Sequence, residues 1–300
     1  MKFLKLIGFS NLLLLAFGMF VFKYGFLDHQ ENLQMALSDL QYAAMVFAGV
    51  LIAAGGFFMN NVFGFGKDEH PEITEAKGYN VYAAFTIVGI GLGYYIADFV
   101  GKPFFTGVFI IGAALLYIYA TSLKATIIVS NIIVAALIAL PILTIGVFTL
   151  YPILNNDNHI QIATIFEVLL DYTIFTFVIG LILTFVNDLA NIDADYNNGV
   201  TTLPIVLGRA RTMKIVIGLT IIPIALLLYY TQLYIIDLTY ALGFGLLFIL
   251  GPLVYFLIKL WSAGNEKEFR HLEVVLKLVL LFTAVSLAVI TFNIDYNVKG

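Results

Sequence analysis

Between positions 187 and 208 the chain reads NDLANIDADYNNGVTTLPIVLG, with three acids within eight residues. Asp188, Asn191 and Asp195 recur at i, i+3 and i+7, which puts them on one face of a continuous helix. Asp193 points about 140° away from Asp188 at 3.6 residues per turn. Carboxylates this close repel one another, and a divalent cation held by their oxygens would relieve the repulsion. The competing structural account is a solvated acidic helix end that runs into an ordinary turn at Asn197-Asn198-Gly199. The residues beyond that turn are less generic: a Thr-Leu-Pro triplet at 202–204, then Gly208 ahead of the basic pair Arg209 and Arg211.

A second polar segment, 53–68, reads AAGGFFMNNVFGFGKD. Asn60, Gly64 and Asp68 fall at i, i+4 and i+8, again one helical face. Asn60 and Asn61 end an apolar run, where an unsatisfied amide costs several kcal/mol. Hydrogen bonding between helices is their structural alternative. A third element runs from Leu116 to Lys124, followed by Ser130 and Asn131. Lys124 sits at a short turn and can meet an anionic group or serve only as an orientation signal.

These residues must be positioned by membrane helices. The 300-residue chain is 61% hydrophobic and 11% charged, with a mean hydropathy of +0.99. Soluble domains carry about 25% charged residues, so this chain cannot cover a surface facing water. A net charge of −4 leaves no basic footprint for nucleic acid. The absence of cysteine excludes disulfides, thiolate metal sites and a cysteine nucleophile.

A transmembrane helix needs roughly 20 mostly apolar residues. Such runs are predicted at 6–27, 40–63, 79–98, 104–121, 126–150, 164–186, 213–236, 239–260 and 272–293. The first is too long for a signal-peptide core and lacks a small-x-small cleavage site, so it reads as a retained helix. With the N-terminus in the cytoplasm, that side receives Lys2, Lys5, Lys67, Lys77, Lys124, Arg209, Arg211, Lys214, Lys259, Lys267 and Arg270. The other side receives Lys23, Lys102 and Lys299. The excess orients the chain N-terminus inside and, after nine spans, C-terminus outside. Both acidic segments then lie on the cytoplasmic face. The expectation is one integral, all-α membrane domain over 1–300, in a plasma or inner membrane.

Together these segments resemble the UbiA-type membrane prenyltransferase family over most of the chain. That family has nine transmembrane helices in one bundle and two acidic motifs on cytoplasmic loops after its second and sixth helices. Its first motif reads N-D-x-x-D-x-x-x-D after a small-residue run, as the run 53–59 precedes Asn60 here. Its second resembles D-x-x-D-x-x-x-D followed by G-x-x-T-L-P, with Gly199, Thr202, Leu203 and Pro204 in register. The Leu123-Lys124 turn, Asn131 and Asn11 also look like the family pattern. The chain departs from it at Asn61, Gly64 and Asn191, where aspartates are expected, and at Tyr196 and Asn197, where basic residues often stand.

The resemblance implies transfer of an isoprenoid chain from a prenyl diphosphate to a hydrophobic aromatic or lipid acceptor, with Mg²⁺ as cofactor. It implies Asp68, Asp188 and Asp195 as catalytic carboxylates that hold the metal, joined as oxygen donors by Asn60 and Asn191. Asn60, Asn61, Lys124, Asn131, Asn191 and Arg209 are its candidate substrate contacts. Two other functions compete: a non-catalytic relative that binds isoprenoid lipid or a membrane partner, and a small-solute transporter. Polar groups clustered at one membrane face, not at the midplane, disfavour the transporter.

Overall fold

The computed structural model describes residues 2–63, 73–123 and 126–299, which form helices joined by short turns, with no strand among them. Of the helices expected from sequence, all nine are present among the described residues, each long and apolar enough to cross a membrane. The sixth, which the sequence predicts over 164–186, runs over His159–Ala190. The ninth, expected over 272–293, runs over Glu266–Asn297. Asp188, at the end of the sixth, reads as loop in the sequence, but its side chain accepts from Asn131 and it stays helical.

The helices are α1 (Lys2–Leu6), α2 (Phe9–Gly25), α3 (Asp39–Phe63), α4 (Glu75–Phe99), α5 (Thr106–Thr121), α6 (Val129–Thr149) and α7 (His159–Ala190). Then come α8 (Ile192–Asn197), α9 (Leu203–Leu207), α10 (Arg209–Tyr230), α11 (Thr239–Phe244), α12 (Gly251–Ser262) and α13 (Glu266–Lys299). Large apolar side chains face outward along them: Leu40, Ile87, Phe104, Ile160, Leu247 and Trp261 are each at least 70% exposed. Lipid is the solvent that tolerates such a surface. Several hydroxyls within the spans are satisfied locally, as where Thr144, Thr220 and Thr291 donate to the carbonyl four residues back. The chain is an integral, multi-pass membrane protein.

The residues divide into two compact units. The first comprises Met1–Phe17, Gln34–Thr126 and Leu140–Leu170. Its small-residue run lets α3 lie close to α5, since a methyl group on Gly56 would lie 2.7 Å from a Leu116 side-chain carbon. Leu6, Ile7, Leu12, Ala54, Phe58 and Val62 form a buried cluster beside it. The run expected to begin at residue 6 is interrupted at Gly8, whose φ of 65° separates α1 from α2.

The second unit comprises Gly18–Leu33, Ile127–Ala139 and Asp171–Gly300. Its core joins the end of α7 to α9, α10, α12 and α13 through Val186, Leu189, Leu203, Val216, Phe256 and Leu276. Asn293 accepts from the backbone N–H groups of Tyr240 and Ala241 at 2.8 and 3.1 Å. Those are orphan donors at the start of α11, so α13 caps its neighbour. Lys23 is buried, and Asp28 at 3.0 Å neutralises it.

Candidate functional site

The second unit carries the acidic segment. Helix α7 ends at Ala190, and Asn191, with φ −99° and ψ 7°, leads into the short α8. The continuous helix expected over this segment is therefore bent at Asn191. Hydrogen-bond register survives the bend, because Asn191 N–H donates to Asn187 O at 3.0 Å and Asp195 N–H to Asn191 O at 2.8 Å. Asp188, Asn191 and Asp195 are half-buried and Asp193 is exposed, consistent with the sequence spacing.

Gly199, at φ 68°, ends α8. Val200 N–H donates to Asp195 O at 2.9 Å and Gly199 N–H to Tyr196 O at 3.2 Å. These paired bonds make a Schellman motif, which uses glycine for its left-handed residue. Thr202 is extended at φ −110° and ψ 166°, and Pro204 stands in the first turn of α9. Proline is accommodated there because the first turn has no intrahelical partner for its missing N–H. Leu203 inserts into the core at 5% exposure. Gly208, at φ 85° and ψ 153°, passes the chain from α9 into α10. Only glycine adopts that conformation without strain. The Gly, Thr-Leu-Pro and Gly signature thus builds the turn behind the acids.

Two candidate residues meet directly: Asn131 Nδ2 donates to Asp188 Oδ2 at 2.8 Å. Asn131 is buried at 4% exposure, so α6 presents a fixed donor to the carboxylate. Asn191 is engaged differently. Its Nδ2 donates to Asn187 O at 2.9 Å and to Asn187 Oδ1 at 3.0 Å. Its Oδ1 accepts from Arg270 Nη2. Arg270 Nη1 donates at 3.0 Å to Glu273 Oε1, which also accepts from Asn187 Nδ2 at 3.1 Å. The sequence reading does not single out Asn187, Arg270 or Glu273. Arg270 and Glu273 lie 79 and 86 residues from their partners, and only their opposite charges at i, i+3 are visible in the sequence.

Arg209 directs Nη1 to Gly264 O and lies 5.7 Å over the Phe269 ring, tying the start of α10 to the turn before α13. In the first unit, Asn61 Nδ2 donates to Leu6 O at 2.8 Å, which satisfies a carbonyl at the end of α1. Asn60 Oδ1 is buried and has no hydrogen-bond partner among the described residues. A buried acceptor in that state is open to a cation or a donor on a ligand. Asp68 and Lys124 lie outside the described residues, as do Gly64 and Lys67.

Among the described residues no three His, Cys, Asp or Glu side chains gather into a preformed metal cage. The donors are hard oxygens, with carboxylates at Asp188 and Asp195. Mg²⁺ ordinarily takes one or two carboxylates and completes its shell with water and substrate phosphate. The set therefore fits Mg²⁺ bound together with a diphosphate.

A model of the UbiA prenyltransferase family matches residues 11–281. Digeranylgeranylglyceryl phosphate synthase from Sulfolobus acidocaldarius is 29% identical over 256 residues, spanning 80% of this chain and 83% of that protein. A UbiA homologue from Aeropyrum pernix K1, solved in its apo form, superposes with a TM-score of 0.67 at 11% identity. The match covers 96% of this chain and 98% of that one. A UbiA homologue from Archaeoglobus fulgidus, solved bound to Cd²⁺, gives a TM-score of 0.58 at 14% identity. There the match covers 97% and 99%.

Proposed function

The chain belongs to the UbiA prenyltransferase family, and on that premise we propose that it moves a prenyl group from its diphosphate to a glyceryl phosphate lipid, with Mg²⁺ as cofactor. It is a prenyltransferase, and readings as a solute transporter or a non-catalytic binder give way to that activity. The observation that carries the site is the half-buried pair Asp188 and Asp195 at a membrane-helix end, with Asn131 holding the first of them. Ionisable groups at such an end are costly unless water, a partner or a cation meets them.

In this reaction the bond between the prenyl C1 and the diphosphate oxygen breaks, and diphosphate leaves with the bonding electrons. A hydroxyl oxygen of the acceptor bonds to the allylic carbon and gives up its proton. Mg²⁺ would neutralise the charge that develops on the departing diphosphate. Asp188 and Asp195 would hold it in the second unit, and Asn131 would keep the Asp188 carboxylate oriented. In the first unit Asn60 offers a lone oxygen donor, and the family pattern adds Asp68 beyond the described residues. Apolar helices suit the isoprenoid chain and a lipid acceptor.

The acceptor class is supported by the name of the Sulfolobus acidocaldarius relative. The excess of Lys and Arg in alternate loops supports an N-terminus in the cytoplasm and a C-terminus outside. That α2, α6 and α7 each contribute residues to both units supports reading the whole chain as one membrane domain.

Membranes containing the protein, supplied with labelled prenyl diphosphates, test this directly. Transfer to a prenylglyceryl phosphate that stops on chelation is expected. Transfer only to an aromatic ring would replace the acceptor, transfer that survives chelation would remove the metal, and no transfer to any acceptor would remove the function.

A further inference from the structure

We propose that Arg270, braced by Glu273, is a positioning residue for the carboxylates Asp188 and Asp195, acting through a clamp on the bend at Asn191. This role presumes the diphosphate site proposed above. The clamp grips the last turn of α7 and the bend itself. Glu273 accepts from Asn187 on the last turn of α7, and Arg270 donates to Asn191 at the bend itself. Glu273 is 7% exposed, and a carboxylate so buried must be paired. Arg270 supplies the pairing at 3.0 and 3.4 Å and reaches Glu266 at 3.6 Å. A solvated surface arginine needs none of these partners.

Position 191 is matched to this clamp by its chemistry. Its side chain donates to Asn187 twice and accepts from Arg270 once. A carboxamide does both, whereas an ionised carboxylate has no proton to donate. An aspartate at 191 would set its oxygens against Asn187 O and Oδ1. The structure thus gives Asn191 to the clamp and leaves cation binding to Asp188 and Asp195. Those two flank Asn191 closely in the chain, and Asp195 N–H is bonded to Asn191 O at 2.8 Å. Helix α8 has no side-chain cap at Asn191, so the clamp joins the backbone bonds across the bend in holding its start against α7.

The full chain in lipid nanodiscs provides two readouts besides turnover. The first is amide exchange over residues 187–199. The second is the dissociation constant of Mn²⁺, in place of Mg²⁺, measured by electron paramagnetic resonance with inorganic diphosphate present. Arg270→Gln should speed exchange at Asn191 and Asp195 and weaken Mn²⁺ binding by about tenfold, as expected for losing one hydrogen bond to a charged group. Arg270→Lys, which keeps a charge and donors, should recover part of both. The pair Arg270→Gln with Glu273→Gln removes both charges together and guards against misfolding through an unpaired Glu273. Asn191→Asp should behave like Arg270→Gln. Tighter Mn²⁺ binding by Asn191→Asp would overturn the proposal, as would faster exchange in Arg270→Gln with Mn²⁺ affinity unchanged. Unchanged exchange in both Arg270→Gln and the paired variant would also overturn it. A wild type that binds no Mn²⁺ with diphosphate would overturn the proposed function and this role with it, and that failure is separable because exchange reads the clamp alone.

Discussion

Asn131 Nδ2 donates to Asp188 Oδ2 across 2.8 Å, linking residues 57 positions apart in the chain. The donor is buried and the acceptor half-buried, so the carboxylate is oriented from its protein side. Asp195 shares that half-burial, whereas Asp193 faces out. Asp188→Asn and Asp195→Asn should each lower Mg²⁺-dependent transfer by about a hundredfold, the range for removing an electrostatic group from a reacting site. Asp193→Asn should stay within about twofold of wild type, as exposed substitutions do. Equal losses for all three, read as kcat/KM, would mean a diffuse acidic field and no defined pair.

Asn131 itself should be sensitive to charge. Asn131→Ala leaves Asp188 without its donor and should lower kcat/KM by about tenfold, the worth of one hydrogen bond to a charged group. Asn131→Asp places a second carboxylate against the first and should be worse than alanine, with a higher half-saturating Mg²⁺. Activity equal to wild type in both variants would separate Asn131 from the site.

The turn behind the acids makes a stability prediction. Gly208 has φ 85° and ψ 153°, a conformation that costs other residues about 1–3 kcal/mol. Gly208→Ala should lower the unfolding temperature in nanodiscs, and Gly199→Asn should be tolerated better than Gly199→Val. Asparagine enters the left-handed region far more readily than a β-branched residue. A Gly208→Ala protein as stable as wild type would contradict that backbone assignment.

Helix existence was legible in the sequence because membrane spans need long apolar runs with polar punctuation. The exposed and half-buried acids of segment 187–208 were legible from spacing, since residues three and seven apart share a face. The bend at Asn191 was not. It depends on Arg270 and Glu273, which approach from the far end of the chain and leave no local periodicity. Asn61 was ambiguous for a related reason: an amide at a helix end suits a ligand or a neighbouring carbonyl, and here the carbonyl of Leu6 takes it. Thr202, Leu203 and Pro204 were visible as a signature, but their work, a core-anchored turn into α10, depends on packing against residues distant in the chain.

Topology can be tested without any assay of transfer. Asn198 and Asp157 are both exposed. Cysteines at Asn198 and at Lys67 should be labelled by a membrane-impermeant reagent only from the cytoplasmic side, and a cysteine at Asp157 only from the other. Labelling of Asn198 and Lys67 from opposite faces would reject the orientation drawn from the charge excess.

The two neighbouring amides of segment 53–68 should part company on substitution. Asn61 is committed to Leu6 O, whereas Asn60 Oδ1 is buried without a partner among the described residues. Asn61→Ala should lower thermal stability and leave the half-saturating diphosphate within about twofold, because a lost neutral hydrogen bond costs about 0.5–1.5 kcal/mol of folding. Asn61→Asp should be worse for stability, since its carboxylate would face a carbonyl oxygen with no proton between them. Asn60→Ala should instead spare stability and raise the half-saturating Mg²⁺ by about tenfold, the loss of one charge-assisted contact. Asn60→Asp should move it the other way, because a carboxylate attracts the cation more strongly than an amide. The outcome that would sink this division is Asn61→Asp increasing Mg²⁺-dependent transfer. Position 61 would then be a ligand site that has lost its charge, and its bond to Leu6 would be incidental.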